Sequence, residues 1–147
     1  MHLHRALALL PPLLASLLHA QQGAPRTTAE SSGYAETSRA ADVARFVEAC
    51  TQLPHGDRLT SGSMGRSHED RRVLLVRAAL PGADPFEQLR VVVIGNIHAG
   101  EVEGKEAVQE LLREIAQGQH EDILERCTVR FVPIYNVDGN EAVKVGN

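Results

Sequence analysis

The sequence has little of what marks several large functional classes. It carries no stripe of lysine and arginine: 15 basic residues are set against 19 acidic ones, for a formal net charge of −4. A nucleic-acid binder built on a basic surface is excluded on that ground. Cysteine is scarce, with only Cys50 and Cys127. Two thiols fit either one disulfide in an oxidising compartment or two buried free thiols, and both readings stand on the sequence alone. No cluster of Cys and His completes a metal site by itself. A phosphate loop around Gly104-Lys105 would need Gly in place of Ala99 and Ser or Thr in place of Glu106, and a dinucleotide fingerprint would need Gly in place of Ile97. The helical zinc-protease signature HExxH is missing, and its inverse would need His in place of Val102. No internal repeat is apparent.

A long apolar run is missing too. The stretch 6–18 is apolar but interrupted by Pro11-Pro12, and it falls short of the ~18–20 residues that a spanning helix needs. With His2, His4 and Arg5 before it and the small residue Ala20 after it, it fits a secretory signal peptide over residues 1–20, and a membrane anchor is the lesser reading. Residues 21–33 are rich in Gln, Gly, Ser, Thr and Ala without periodicity, which predicts a flexible leader.

What is there begins at Thr37. Val43, Phe46, Val47 and Cys50 recur at helical spacing, with Thr37 or Ser38 available as the N-cap, and Pro54-His55-Gly56-Asp57 ends the helix. Ser61-Gly62-Ser63-Met64-Gly65 reads as a loose connection. Val73-Leu74-Leu75-Val76 is a strand, and a Pro/Gly turn over 81–85 leads into a second strand from Leu89, so the two are expected to pair as antiparallel neighbours. The β-branched run Val91-Val92-Val93-Ile94 is continuous rather than alternating, which predicts a central strand buried on both faces. A helix follows over 102–116 with Ala107, Val108, Leu111, Leu112 and Ile115 on one face and Gly118 as terminator. The last strand, 128–135, is expected to run parallel to the central one after a helical crossover, and Asn136-Val137-Asp138-Gly139-Asn140 reads as a turn. The fold class is α/β, a mixed β-sheet with flanking helices.

Between the central strand and its helix stand His98 and Glu101, beyond the carboxyl end of a strand, where α/β folds open their crevice. An imidazole nitrogen and a carboxylate are good zinc ligands, and a turn between them can aim both at one ion. A catalytic zinc needs a third protein ligand and an open position, so the pair is half a site. On spacing alone a bland account competes: a histidine hydrogen-bonded at a strand end, and a glutamate stabilised by the positive end of the next helix by about 0.3–1 kcal/mol. Glu103 and Glu106 lie on that helix's first turns and read as structural, Glu103 with a possible supporting role behind the ligands. His55, His68 and His120 lie in polar segments and read as surface residues.

The strings GNIHAGEVEGKEA and VPIYNVDGNE, in that order and separated by one helix, resemble the zinc metallocarboxypeptidases of the carboxypeptidase A type. In that family His-x-x-Glu follows a strand, and a later strand ends in Asn-Pro-Asp-Gly. The stretch from Met64 to Arg71 also resembles the family's Leu-Gly-x-Ser-x-Glu-Gly-Arg segment, and the similarity runs over 34–147. The resemblance implies His98 and Glu101 as the first two zinc ligands. It places the third ligand, the arginines that grip the substrate carboxylate and the general-base glutamate after the turn, beyond Asn147. Three departures stand out: Val137 for the proline of the turn, Asp70 for the glycine of the earlier loop, and Gly100 where digestive members carry an arginine.

The expectation is therefore the N-terminal part, residues 34–147, of a secreted or periplasmic zinc carboxypeptidase-like domain acting on peptides, with zinc as cofactor and no nucleic-acid partner or stable membrane span. Residues 21–147 alone are expected to be inactive. A zinc-dependent deacylase or amidase on the same scaffold and a metal-free binding module are the alternatives.

Overall fold

The computed structural model describes residues 23–84 and 86–142; the signal-peptide expectation for residues 1–20 lies outside them. Four strands form one mixed sheet in the order β1-β2-β4-β3, where β1 is Leu59–Arg66, β2 Arg72–Ala78, β3 Leu89–Ile94 and β4 Cys127–Val132. β2 is antiparallel to β1 and to β4, and β3 lies parallel to β4 from Leu89↔Cys127 to Ile94↔Val132. The helices are α1 (Thr28–Ser31), α2 (Ala40–Cys50), α3 (Glu103–Ala116), α4 (Glu121–Leu124) and α5 (Val137–Ala142). Among the described residues no helix is long and apolar enough to cross a membrane.

The parallel β3–α3–β4 unit is as the periodicity predicts. Two expectations about its neighbours are not met. β2 pairs with β4 rather than β3, because the connection over 79–88 carries the chain past β4's position before β3 begins. β3 is also an edge strand, with Leu89 at 69 % and Val92 at 58 % exposure. Its unbroken apolar character thus exceeds what the described residues bury. The 61–65 segment is no loose connection but part of β1, hydrogen-bonded along β2 through an irregularity between Ser63 and Gly65. β1 is exposed over almost its whole length, so it carries no apolar signature to read.

One core unites α2 (Val43, Phe46, Val47, Cys50), α3 (Val108, Leu112, Ile115, Ala116), and the inner residues of β2 and β4. α3 ends as its glycine predicts: Gly118 has φ +98°, its N–H donates to Ile115 O, and Gln119 N–H donates to Glu114 O. The buried face of α3, however, includes Lys105 and Gln109 while Ala107 is exposed. Polar residues belong to that face because they have partners. Lys105 Nζ donates to Ser38 O (2.7 Å) and Asn140 Oδ1 (2.6 Å). Burial lowers the Lys105 pKa from its ordinary value.

Neither Thr37 nor Ser38 caps α2. Arg39 holds the cap position, its N–H donating to Asp42 Oδ2 at 2.8 Å. Thr37 and Ser38 instead donate to Glu106, which is therefore structural as its place in the first turn suggests. The predicted leader is also built in from Pro25 onward. Thr27 and Glu30 form a capping box on α1, and Arg113 reaches both Glu30 carboxylate oxygens at 2.7 Å while donating to Pro25 O at 2.9 Å. Low apolar content misleads there because the docking is by ion pair and hydrogen bond. Cys50 and Cys127 are free thiols, and burial pushes Cys50 up to about 12.

Candidate metal centre

At the carboxyl ends of β3 and β4 three loops meet. Antiparallel pairing of β2 with β4 brings the β1–β2 loop, residues 67–71, to the end of the sheet where β3 and β4 finish. Tyr135 N–H donates to Gly95 O (3.0 Å) and Asn136 N–H to Asn96 O (3.1 Å), continuing the β3–β4 ladder past both strands. A Cβ on Gly95 would lie 2.7 Å from Pro133 O and 3.1 Å from Gly104 C, so glycine is what lets β3, α3 and the end of β4 close on one another.

Within that junction the chain turns at Asn96, which is left-handed (φ +50°) and 3 % exposed. Asparagine tolerates that backbone better than most residues. Its Nδ2 donates to the carbonyls of His98 (3.0 Å), Ala99 (3.4 Å) and Glu101 (3.1 Å). Its Oδ1 is buried and has no hydrogen-bond partner among the described residues. Glu101 N–H closes the turn on His98 O at 3.1 Å. The two side chains then converge in solvent, His98 Nδ1 lying 2.9 Å from Glu101 Oε2 with side-chain exposures of 75 % and 68 %.

That donor pair suits zinc, which takes imidazole nitrogen and carboxylate oxygen and favours four ligands. It supplies two of them. Among the described residues no group of three or more His, Cys, Asp or Glu side chains converges on one point. Glu103, the first residue of α3, is exposed, and His55 and His68 are surface residues as expected, whereas His120, also expected at the surface, is half-buried against Glu114 at 2.7 Å.

The 136–140 segment is not the turn expected from its sequence. It is the start of α5, with Asn136 as its cap: Oδ1 accepts from Gly139 N–H at 2.9 Å, and Asn140 N–H donates to Asn136 O at 3.0 Å. Gly139 sits against the His98 loop, since a Cβ there would lie 2.9 Å from Ala99 Cβ. Asp138 fastens the third loop, accepting from Ser67 Oγ (2.7 Å), Arg71 Nη1 (2.8 Å) and Glu69 N–H (3.1 Å). The Ser67 hydroxyl, then the Arg71 guanidinium, hold the Asp138 carboxyl below its ordinary pKa. Asp70, standing where the resembling segment has glycine, takes a left-handed φ of +61°, which is the backbone a glycine would adopt there freely. The sequence marked Ser67, Arg71, Asp138 and Asn96 only as parts of strings: the contacts of Ser67 and Arg71 with Asp138 are long-range, whereas those of the Asn96 side chain are local to the His98 loop.

The sequence pattern of the zinc carboxypeptidases matches residues 47–146. The chain belongs to that family. Among solved structures, a metallo-carboxypeptidase from Burkholderia cenocepacia is 26 % identical with a TM-score of 0.57, over 68 % of this chain and 27 % of its own. A carboxypeptidase A from Helicoverpa armigera reaches a TM-score of 0.61 at 15 % identity, over 86 % of this chain and 30 % of its own. A metallo-carboxypeptidase from Pseudomonas aeruginosa gives 0.53 at 23 %, over 68 % and 26 %. The chain thus spans about a third or less of the length of the structures it matches. Comparison with curated proteins finds no match.

Proposed function

We propose that the protein acts as a secreted or periplasmic zinc carboxypeptidase, with His98 and Glu101 as two of the metal ligands and a C-terminal peptide bond as substrate. The observation that carries this reading is the convergence of His98 Nδ1 and Glu101 Oε2 to 2.9 Å beyond the carboxyl end of β3 in a carboxypeptidase-like fold. A zinc ion held there would serve as a Lewis acid toward the scissile carbonyl. Glu101 holds the His98 ring through Nδ1, and both side chains are open to solvent, so these two residues would be free to take up the ion. Export is supported by the basic start and short apolar run of the N-terminus.

The test is zinc content of the full-length protein. About one zinc per chain is expected, with His98→Ala and Glu101→Ala each losing most of it together with hydrolysis of a blocked dipeptide bearing a free C-terminus. Unchanged zinc in His98→Ala would remove the ligand assignment. Zinc binding without release of a C-terminal residue would remove the carboxypeptidase reading and favour an amidase or deacylase.

A further inference from the structure

We infer that Asn96 is the positioning residue that sets the two candidate ligands in place and couples them to the second motif. The inference rests on the ligand assignment above. One carboxamide gathers three carbonyls: those of His98, Glu101 and Ala99 between them, at 3.0, 3.1 and 3.4 Å. Two N–H bonds serve three acceptors, so one hydrogen is shared, and the loop is drawn inward around a single side chain. Asn96 also accepts through its backbone carbonyl from Asn136 N–H, and Asn136 in turn caps α5. A shift of Asn96 therefore moves both motifs together.

The side chain carries costs that a mere turn would not require. A left-handed φ of +50° is available to glycine without strain, and the Oδ1 of Asn96 is buried with no partner among the described residues. What glycine could not do is donate to the carbonyls of the ligand loop. What aspartate could not do, despite the same shape, is donate at all: its carboxylate would face three carbonyl oxygens. Asn96 touches neither ligand side chain; it acts on them through their own backbone.

Two variants of the full-length protein separate positioning from folding. Asn96→Gly keeps the left-handed backbone and deletes only the grip, whereas Asn96→Asp keeps the shape and reverses its polarity. For Asn96→Gly the thermal midpoint of the metal-free protein is expected to stay close to the parent's. Zinc affinity, measured by competition with a chelator, is expected to fall about 10–100-fold, the usual cost of removing a group that orients ligands. In the metal-free protein, amide exchange at Glu101, whose N–H donates to His98 O, is expected to accelerate. Asn96→Asp is expected to weaken zinc at least as much.

Zinc affinity equal to the parent's in Asn96→Gly overturns the inference. So does a drop in metal-free stability, in both variants, large enough to account for the lost zinc, because Asn96 would then be a folding residue only. His98→Ala tells the two readings apart: zinc retained there refutes the ligand assignment, whereas zinc lost there but kept in Asn96→Gly refutes only the positioning role. If the parent takes no zinc, exchange at Glu101 decides, and an unchanged rate in Asn96→Gly refutes the inference.

Discussion

Lys105→Met removes a buried ammonium while keeping most of the volume of its stem. The parent group donates to Ser38 O at 2.7 Å and Asn140 Oδ1 at 2.6 Å, joining α3 to the start of α2 and to α5. Deleting it strands Asn140 Oδ1 and leaves Ser38 O with only the longer bond from Asn140 Nδ2 at 3.4 Å, at a cost of about 1–3 kcal/mol for each weakened acceptor. Relief of the desolvated charge returns part of this, so a net loss of about 2–3 kcal/mol is expected. Lys105→Ala also loses the buried Cγ, Cδ and Cε methylenes at about 0.8 kcal/mol each, for roughly 2 kcal/mol more. Urea unfolding of the metal-free protein near neutral pH measures both, as midpoint shifts at unchanged slope. Because burial lowers the Lys105 pKa below 10.5, the unfolded chain holds this proton longer than the native one does. Stability from this group therefore rises as pH climbs from the folded pKa toward 10.5, and the gap between parent and Lys105→Met should widen there. A methionine variant as stable as the parent near neutral pH would refute the reasoning, since desolvation would then outweigh both hydrogen bonds.

Two further outcomes test the scaffold. Glu30, whose folded pKa lies below its ordinary 4.5 chiefly through Arg113, should stabilise the fold fully above that value and lose its contribution as pH falls through the folded pKa. Glu30→Gln is accordingly expected to cost about 1 kcal/mol at neutral pH and nothing in acid, by urea midpoints at both pH values. Gly95→Ala, which places a Cβ 2.7 Å from Pro133 O, should cost about 1–3 kcal/mol in the same assay, because the atoms it meets are backbone and cannot turn aside.

What could be read from sequence followed from local physics. The apolar spacing of α2 and α3, the glycine after α3, the apolar run of β2 and the β-branched run of β3 are properties of short windows, and each formed where the window placed it. His98 and Glu101 were legible for the same reason, being three residues apart across a turn that their own backbone closes. Motif order was likewise enough to indicate the family.

Tertiary structure decided whatever depended on partners distant in the chain. β1 has no apolar pattern, and only pairing with β2 makes it a strand. Sheet order could not be inferred from adjacency, since β4, formed last, lies between β2 and β3. The 25–32 segment is held by Arg113, more than eighty positions away, through a pair that composition does not reveal. Lys105 is buried because Ser38 and Asn140, both distant in the chain, supply its acceptors. The convergence of the His98 loop, the Asn136 cap and the Ser67–Arg71–Asp138 contacts at one end of the sheet is likewise a product of the fold. A hydrogen bond needs two groups within about 3 Å. Sequence determines which groups exist, and for those far apart in the chain only the packed sheet and helices bring them to that distance.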